Sequence, residues 1–373
     1  MNIVYFMTYG YSIKSWHEAG HLSREMNYFN RFTSKSDTNY IFITYGNKSD
    51  YEYSDKFKNS KIIPIYEHLN FSKYKLINLI KSFYIPIILK RLLVEEDIQI
   101  IKQNQLLGSW IPIGLKLLLK KPLIIRTGYD MYSFSKSAKN GLFKRLLYYF
   151  LTQITLIMAD QYTVSSKNDF EKINSYLFKG KSTALMSNWV SEQPIYDLNK
   201  RDELKLLTVG RLEKQKNIEK IIRDFKNTAF EIDVIGEGSD KEFLEKLAEK
   251  NNVKVNFLGT IDNDKVLSFY KNYKYYLSSS IYEGNPKTIL EAMSSGCIVL
   301  ALKNPNIEEI IIHNHNGFLV KNDELSFLKM IDEIAKHENI EDISRNAISY
   351  VKKNNNLDDL VEAEYKSMIK LKK

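Results

Sequence analysis

Two basic side chains follow a short apolar segment in the second half of the chain. Leu204–Val209 is predicted to be a buried strand, and Gly210, Arg211 and Lys216 come after it. Because glycine permits a tight turn, Arg211 and Lys216 can point to the same side of that turn. A guanidinium and an ammonium group together suit the charge and geometry of a diphosphate. A solvated basic turn is the alternative, since the chain has 54 Lys and Arg residues.

Two glutamates with seven residues between them form the second candidate site. Glu283 ends the loop after a predicted strand, and Glu291 lies inside the predicted helix Lys287–Ser294. The first amide groups of a helix have no intrahelical acceptor, so they favour an anion. Glu291 can accept hydrogen bonds from a ribose diol, and its apolar neighbours make a surface position the weaker alternative. The residues between the glutamates include Gly284, Asn285, Pro286, Lys287 and Thr288, with Pro286 expected near the first helical position.

The apolar pattern predicts the elements that position these residues. Seven short apolar segments between residues 3 and 186, and five between residues 204 and 301, alternate with stretches of helical periodicity. Continuous apolar strands are buried on both faces, and a repeated β-α-β order gives parallel sheets covered by helices. We therefore predict an α/β protein with two doubly wound, Rossmann-like domains, at residues 1–195 and 196–355. Ligands bind at the carboxyl ends of such strands, so we expect an anion in a cleft between the two sheets.

Composition excludes several classes of protein. The 373 residues are 44% hydrophobic and 27% charged, with 15 Gly and 7 Pro, which excludes a disordered or collagen-like chain. Cys297 is the single cysteine, so no intrachain disulfide can form and a reducing, cytoplasmic location is expected. The N-terminal residues lack the pattern of a signal peptide. The uncharged stretch Leu146–Ala159 has 14 residues, too few to span a bilayer.

The positive charge lies in the first half of the chain. Residues 1–200 contain 27 basic and 16 acidic residues, whereas residues 201–373 contain 27 and 29. This asymmetry favours an anionic partner for the first domain. Nucleic acid is not expected, because no nucleic-acid-binding motif is present. Phe71–Leu93 mixes lysines with aromatic residues and suits an anionic membrane surface, with a solvated pair of helices separated at Pro86 as the alternative.

The motifs of the second half, in their order, resemble those of family 4 (group 1) glycosyltransferases, which have the GT-B fold. The resemblance runs over residues 204–320 and includes Gly236-Glu237-Gly238, Phe257-Leu258-Gly259 and the segments 295–299 and 316–320. It implies a nucleotide diphosphate sugar as co-substrate, no other cofactor, no essential metal and retention of the anomeric configuration. It also implies that a C-terminal helix at residues 356–373 crosses back to the first domain.

The resemblance also assigns roles to individual residues. Arg211 and Lys216 would bind the donor diphosphate, and Glu291 would hold the ribose hydroxyls. The backbone of Gly284–Thr288 would bind phosphate and sugar, while Glu283 would meet the donor sugar near the reacting carbon. The first domain would bind the acceptor, a glycan or lipid-linked precursor of a bacterial surface polysaccharide, at the inner face of the cytoplasmic membrane.

The first half departs from the pattern of this family at two places. The loop after the first strand has one glycine, Gly10, where relatives often have several; Gly10 can still let the backbone approach a donor phosphate. Tyr129 stands where many members have a histidine, which leaves the role of that histidine open. Arg126, Tyr129 and Asp130 are candidate cleft residues, Tyr129 and Asp130 as catalytic ones. A loop held by ordinary hydrogen bonds is the alternative.

Two other functions stay open at this point. His17-Glu18-Ala19-Gly20-His21 matches the zinc-protease pattern H-E-x-x-H, in which one helix presents both imidazoles. Gly20 weakens such a helix, and Arg24 and Asn27 stand where the extended motif has a glycine and a third ligand, so we expect no metal site here. The segment then begins a helix or lines the acceptor side. A nucleotide-sugar-binding protein without catalysis is the other alternative.

Overall fold

The computed structural model describes residues 1–138, 140–194 and 197–372. The chain divides into two compact units, Met1–Met186 with Asp358–Lys373, and Ser187–Leu357. The predicted domain boundary between residues 195 and 196 lies outside the described residues. The division at Leu357 assigns nearly all of the C-terminal helix to the first unit.

The first unit is a seven-stranded parallel sheet with the order β3-β2-β1-β4-β5-β6-β7. Its strands are β1 (Asn2–Phe6), β2 (Asn39–Thr44), β3 (Ser60–Pro64), β4 (Ile98–Asn104), β5 (Leu123–Thr127), β6 (Gln161–Val164) and β7 (Thr183–Leu185). Its helices are α1 (Ile13–Glu18), α2 (Leu22–Lys35), α3 (Lys75–Ser82), α4 (Ile85–Leu92), α5 (Trp110–Leu119), α6 (Met131–Ser137), α7 (Leu142–Met158) and α8 (Lys167–Ser175).

The second unit is a six-stranded parallel sheet with the order β10-β9-β8-β11-β12-β13. Its strands are β8 (Asp202–Val209), β9 (Glu231–Ile235), β10 (Lys254–Gly259), β11 (Tyr273–Ser278), β12 (Ile298–Leu302) and β13 (Phe318–Val320). The helices that follow are α9 (Ile218–Asp224), α10 (Lys241–Lys250), α11 (Asn263–Phe269), α12 (Lys287–Ser294), α13 (Ser326–Ile334), α14 (Ile340–Asn354) and α15 (Leu357–Lys372). The prediction of two doubly wound α/β units is confirmed.

Both faces of the second sheet are buried, as its apolar strands predict. Leu206 and Val234 belong to the core on one face of the sheet. Their chain neighbours Leu207 and Ile235 belong to the core on the other face. Side chains alternate between faces along a strand, so a continuous apolar run supplies both cores at once.

Helix α15 packs on the first unit through a buried ion pair. Nζ of Lys102, on β4, lies 2.5 Å from Oε1 of Glu364, and neither side chain is accessible to solvent by more than 3%. Tyr28 on α2 donates its hydroxyl to the other oxygen of Glu364. Burial lowers the pKa of Lys102. Burial alone would raise the pKa of Glu364, but the charges of Lys102 and Arg126 lower it below its usual value. The pair is therefore charged, with α15 held on the sheet by electrostatics and packing.

No helix among residues 1–138, 140–194 and 197–372 is long and apolar enough to cross a membrane.

Candidate functional site

The loop after β8 rests directly on the loop after β9. Gly210 donates its amide to the carbonyl of Ile235 at 2.9 Å, and Leu212 donates to the carbonyl of Glu237 at 3.0 Å. Gly236 has φ +138°, and a Cβ atom there would lie 2.1 Å from the carbonyl oxygen of Gly210. A Cβ at Gly238 would lie 2.3 Å from the carbonyl oxygen of Leu212. Only glycine permits so close an approach, which explains the Gly236-Glu237-Gly238 motif.

Lys216 crosses Gly210 and reaches Glu283. A Cβ at Gly210 would lie 3.1 Å from Cε of Lys216, so the glycine leaves room for the lysine stem. Nζ of Lys216 donates to Oε1 of Glu283 at 2.6 Å, and the two side chains are 18% and 11% exposed. The structure thus joins the basic turn to the first glutamate of the second motif.

Two more hydrogen bonds fix these loops to each other. Ser279 donates its hydroxyl to the carbonyl of Lys216 at 2.8 Å. The side-chain amide of Gln215 donates to the carbonyl of Tyr282 at 2.8 Å. Hydrogen bonds between the two loops therefore fix the backbone near both Lys216 and Glu283, which keeps the ion pair in place.

Arg211 has a different environment from Lys216. Its side chain is 57% exposed, and its Nη1 lies 3.1 Å from Oε1 of Glu213. An exposed ion pair of this kind is weak, so the guanidinium exchanges readily to another anion. In this structure the two predicted diphosphate ligands are bound to different carboxylates.

The helix α12 begins shortly after Glu283 in the chain. Pro286 occupies the N-cap position and Lys287 is the first helical residue, so the proline lies next to the first helical position as predicted. No side chain caps the helix, and the N-terminus of a helix favours an anion. Nζ of Lys287 lies 4.0 Å from the ring centroid of Trp189, which places a second positive charge at this end of the helix.

The turn before α12 is buried and is fixed through Asn285. The backbone amide of Asn188 donates to Oδ1 of Asn285 at 2.8 Å, and the Asn188 side chain donates to the Asn285 carbonyl. Asn355 donates in turn to the carbonyl of Asn188 at 2.6 Å. Gly284 is also buried. Asn285 therefore shapes the turn with its side chain.

Glu291 lies in a buried polar cluster on the inner side of α12. It is 3% exposed, which excludes a surface position. Asn263 donates to one of its oxygens at 3.0 Å, and the Tyr270 hydroxyl donates to the other at 3.2 Å. Burial and the charge of Glu291 raise the pKa of Tyr270 well above its usual value, so its hydroxyl keeps the proton that it donates. These two hydrogen bonds orient the Glu291 carboxylate.

No pattern in the sequence identifies Asn188, Asn263 or Tyr270 as residues of this site. Asn263 lies 28 residues before Glu291, and Asn188 lies 97 residues before Asn285. No local spacing links such pairs, because the contacts arise only when strands and helices pack. Asparagine in polar loops is also too common to stand out.

Gly10, in the first unit, borders a cleft at the end of β1. It has φ +83°, a conformation that favours glycine, and no atom lies within 4 Å of the position of a Cβ. The cleft has a volume of about 700 Å³, and Lys14 and Lys75 line it together with Tyr9. The residue thus lies at an open, positively charged part of the first unit.

Tyr129 and Asp130 are part of the structure that begins α6. One oxygen of Asp130 accepts from the amide of Ser133 at 2.9 Å and from the hydroxyl of Tyr176 at 2.6 Å. Asp130 is 1% exposed, and its Oδ1 has no hydrogen-bond partner among the described residues. The ring of Tyr129 lies 4.9 Å from that of Phe134, measured between centroids. Helix capping accounts for the position of Asp130, while Oδ1 keeps its capacity to accept a hydrogen bond.

The H-E-x-x-H segment does not form the helix that a zinc protease needs. Helix α1 ends at Glu18, Gly20 has φ +69°, and His21 precedes the first residue of α2. His17 and His21 are therefore not one turn apart on a single helix. Within the described part of the chain, no group of three His, Cys, Asp or Glu residues is placed to hold a metal ion.

The chain is similar to known glycosyltransferases. The family model described as glycosyl transferases group 1 matches residues 193–355. An uncharacterized glycosyltransferase of Methanocaldococcus jannaschii is 32% identical over 45% of this chain and 45% of its own length. The GalNAc-alpha-(1->4)-GalNAc-alpha-(1->3)-diNAcBac-PP-undecaprenol alpha-1,4-N-acetyl-D-galactosaminyltransferase of Campylobacter jejuni is 26% identical over 61% of this chain and 62% of its own. The chain thus matches less than two thirds of either curated relative.

The fold extends beyond the matched segment. The solved sucrose-phosphate synthase of Thermosynechococcus elongatus superposes with a TM-score of 0.81 at 15% identity, over 100% of this chain and 99% of that one. At this identity the likeness concerns the fold alone. Residues 193–355 thus match the group 1 glycosyltransferase family, in a chain that has the GT-B fold of two Rossmann-like units.

Proposed function

We propose that this protein is a glycosyltransferase that moves a sugar from a nucleotide diphosphate donor to a hydroxyl group. The observation that carries the proposal is the 2.6 Å contact between Lys216 and Glu283 beside the uncapped start of α12. A cation, a carboxylate and the N-terminus of a helix at one strand edge suit a donor that has a negative diphosphate and a reacting carbon that becomes positive.

The positive groups have the task of stabilising the leaving group. When the bond between the anomeric carbon and the diphosphate breaks, negative charge grows on the phosphate oxygens. Arg211, Lys216 and the amides at Lys287 and Thr288 are the groups that bind it in this proposal. Cations and helix amides lower the energy of that charge without needing to reorganise. No essential metal is part of the proposed reaction.

Lys216 and Glu283 have coupled roles in this reaction. Before the donor binds, the charges of Lys216 and Glu283 neutralise each other. A donor phosphate draws the Lys216 ammonium towards itself and leaves the Glu283 carboxylate to stabilise the positive anomeric carbon. The acceptor oxygen then bonds to that carbon, and its proton passes to the departing phosphate. We propose retention of the anomeric configuration, for which the support is the resemblance to group 1 members.

Glu291 has the role of holding the nucleotide. Hydrogen bonds from Asn263 and Tyr270 orient the carboxylate, which is the group that accepts from the ribose hydroxyls in this proposal. The buried turn through Asn285 fixes the start of α12 so that the amides and Glu291 keep their spacing. Gly10, Tyr129 and Asp130 stay candidates for contact with the donor in the first unit.

The proposed acceptor is a glycan or a lipid-linked glycan precursor of a bacterial surface polysaccharide. The Campylobacter jejuni relative is named for an undecaprenol-linked glycan, and the basic first half of this chain suits an anionic acceptor. The proposed location is the cytoplasm, at the inner face of the cytoplasmic membrane.

Calorimetry with a panel of nucleotides and nucleotide sugars tests the donor site. We expect Lys216→Met to weaken a nucleoside diphosphate about tenfold or more, and the matching monophosphate less, since one charge-assisted contact is lost. Glu291→Ala should weaken both, because it removes the contact to the ribose. Lys214→Met, an exposed lysine of the same loop, is the control and should bind as the wild type does.

Three outcomes would contradict the proposal. The first is that no nucleotide sugar binds at millimolar concentration. The second is that Lys216→Met and Lys214→Met behave alike. The third is that a donor binds but no acceptor glycan or lipid-linked glycan gives turnover, which would indicate a binding protein.

A further inference from the structure

Helix α7 carries an apolar stripe on the side that faces solvent. Phe143 is 82% exposed and Leu142 is 70% exposed. The other exposed apolar residues of the helix are Leu146, Leu147, Phe150, Ile154 and Ile157. At about 100° per residue, all seven positions fall within a sector of about 140°. The exposed residues thus form one continuous face along the helix.

The buried side of α7 is more polar than its exposed side. Thr152, Thr155 and Leu156 are buried there, and Gln153 is buried near one edge of the exposed sector. Thr155 lies 3.0 Å from the hydroxyl of Ser109, and Gln153 accepts from the amide of Phe178 at 2.9 Å. A helix at the surface of a soluble domain normally has the opposite arrangement. The distribution on α7 therefore favours a second apolar environment outside the unit.

Helix α3 repeats this feature on the same side of the sheet. Leu76, Ile80 and Phe83 are each more than 60% exposed in and directly after it. The connections from β3 to β4, β4 to β5 and β5 to β6 all advance in one direction along the sheet. Since such crossovers are right-handed, α3, α5 and α7 lie on one face. The two apolar stripes thus belong to one layer of helices.

The charges within the two segments that carry these stripes are of one sign. Residues 131–159 contain four basic residues and no Asp or Glu, and residues 71–94 contain five basic residues and none that is acidic; Glu95-Glu96-Asp97 follow the second segment. Lys136 and Lys144 are exposed near α7, as are Lys73 and Lys75 near α3. Apolar and aromatic side chains accompanied by these cations match the acyl boundary and the anionic headgroups of a bilayer.

We propose that the layer formed by α3 and α7 is a docking surface for an anionic lipid bilayer, with α7 lying in the plane of the interface. Phe143 and Phe150 enter the headgroup region, and Lys136 and Lys144 contact lipid phosphates. A second copy of the chain fits less well, because a twofold contact places the same patch against itself and brings like charges together. The inference rests on the proposed function in one respect: the docking surface would serve to bring a lipid-linked acceptor to the enzyme.

Vesicle sedimentation of the full chain tests this surface. We expect the wild type to sediment about tenfold more with phosphatidylglycerol–phosphatidylcholine vesicles than with phosphatidylcholine alone, and to lose most of that binding at high salt. Phe143→Glu should reduce the binding about tenfold or more, because it places a negative charge in the interface. Phe243→Glu is the matched control, since Phe243 is half exposed on α10 of the second unit, and it should sediment as the wild type does.

Folding and donor binding are measured on the same variants. Phe143→Glu should keep the thermal midpoint of the wild type, because the side chain has little buried area to lose, and it should keep nucleotide affinity. Absence of vesicle binding by the wild type would overturn the docking surface, as would equal sedimentation of Phe143→Glu. A wild-type dimer that Phe143→Glu separates, with no vesicle binding, would overturn it in favour of self-association. If the wild type bound no nucleotide, that result would instead contradict the proposed function.

Discussion

At the scale of single residues, the donor site depends on a glycine that allows two loops to touch. Gly236→Ala would place a Cβ atom 2.1 Å from the carbonyl oxygen of Gly210 and force an L-residue into φ +138°. We expect a loss of about 2 kcal/mol or more in the free energy of unfolding, since a strained backbone and a clash with backbone add together. The basic loop must also move, so nucleotide affinity should fall.

Urea unfolding and nucleotide calorimetry measure the two effects of Gly236→Ala. Gly141→Ala is a suitable control, because no atom lies within 4 Å of its Cβ position. That variant should unfold like the wild type. If Gly236→Ala were as stable as Gly141→Ala, that result would contradict the close contact between the loops after β8 and β9.

Sequence spacing identified Lys216 and Glu283 as candidates but could not identify their partners. Lys216 and Glu283 stand out because each follows a strand at a fixed distance, and the carboxyl ends of parallel strands meet at one edge. The spacing could not show that the two form an ion pair or that Arg211 pairs with Glu213 instead. Those choices depend on side-chain packing and on the room above Gly210. Asp130 illustrates the same point, since its position as a helix cap follows from Ser133 and from a tyrosine 46 residues later.

At the scale of elements, α15 is held by the buried pair of Lys102 and Glu364. Glu364→Gln would leave a buried ammonium without its carboxylate, which costs about 3–5 kcal/mol in comparable cases. The double variant Lys102→Met/Glu364→Met removes both charges and should be close to the wild type in stability. Urea unfolding of the two variants measures the difference, and equal destabilisation by both would contradict a specific role for the ion pair.

The stability of Glu364→Gln should also depend on pH. Burial already lowers the pKa of Lys102, and loss of the carboxylate lowers it further. Over the range between this lowered pKa and the usual lysine value of about 10.4, the unfolded chain binds more protons than the folded one, so stability rises with pH. The deficit of Glu364→Gln should therefore shrink from neutral towards alkaline pH, and a constant deficit would indicate that packing alone is responsible.

The boundaries of some elements were predictable. The helix Lys287–Ser294 has the predicted ends, and the predicted strand Leu204–Val209 ends as predicted but begins two residues earlier, at Asp202. Helix α1 has six residues and a capping box at Ser12, too short for a periodic pattern. Helix α2 begins at Leu22, because the positive φ of Gly20 separates it from α1.

At the scale of the whole molecule, the order of apolar segments was enough to predict two doubly wound units, since it is set by which stretches can be buried on both faces. It could not show that the exposed side of α7 is apolar, because periodicity gives a stripe without saying which side meets the sheet. The two units also have separate cores, each with its own sheet. Changes in one unit should therefore leave the secondary structure of the other intact.

Truncation after Asn356 tests whether the two units unfold independently of each other. It removes α15, so Lys102 and Tyr28 in the first unit lose Glu364, while the sheet of the second unit keeps all its strands. We expect hydrogen exchange to accelerate about tenfold or more in β1 and β4, since an uncompensated buried charge costs more than 1.4 kcal/mol. Amides of β8, β9 and α12 should keep their protection, and a bound nucleoside diphosphate should slow their exchange further. Simultaneous loss of protection in both sheets would show instead that the molecule unfolds as one cooperative body, with α15 needed by both units.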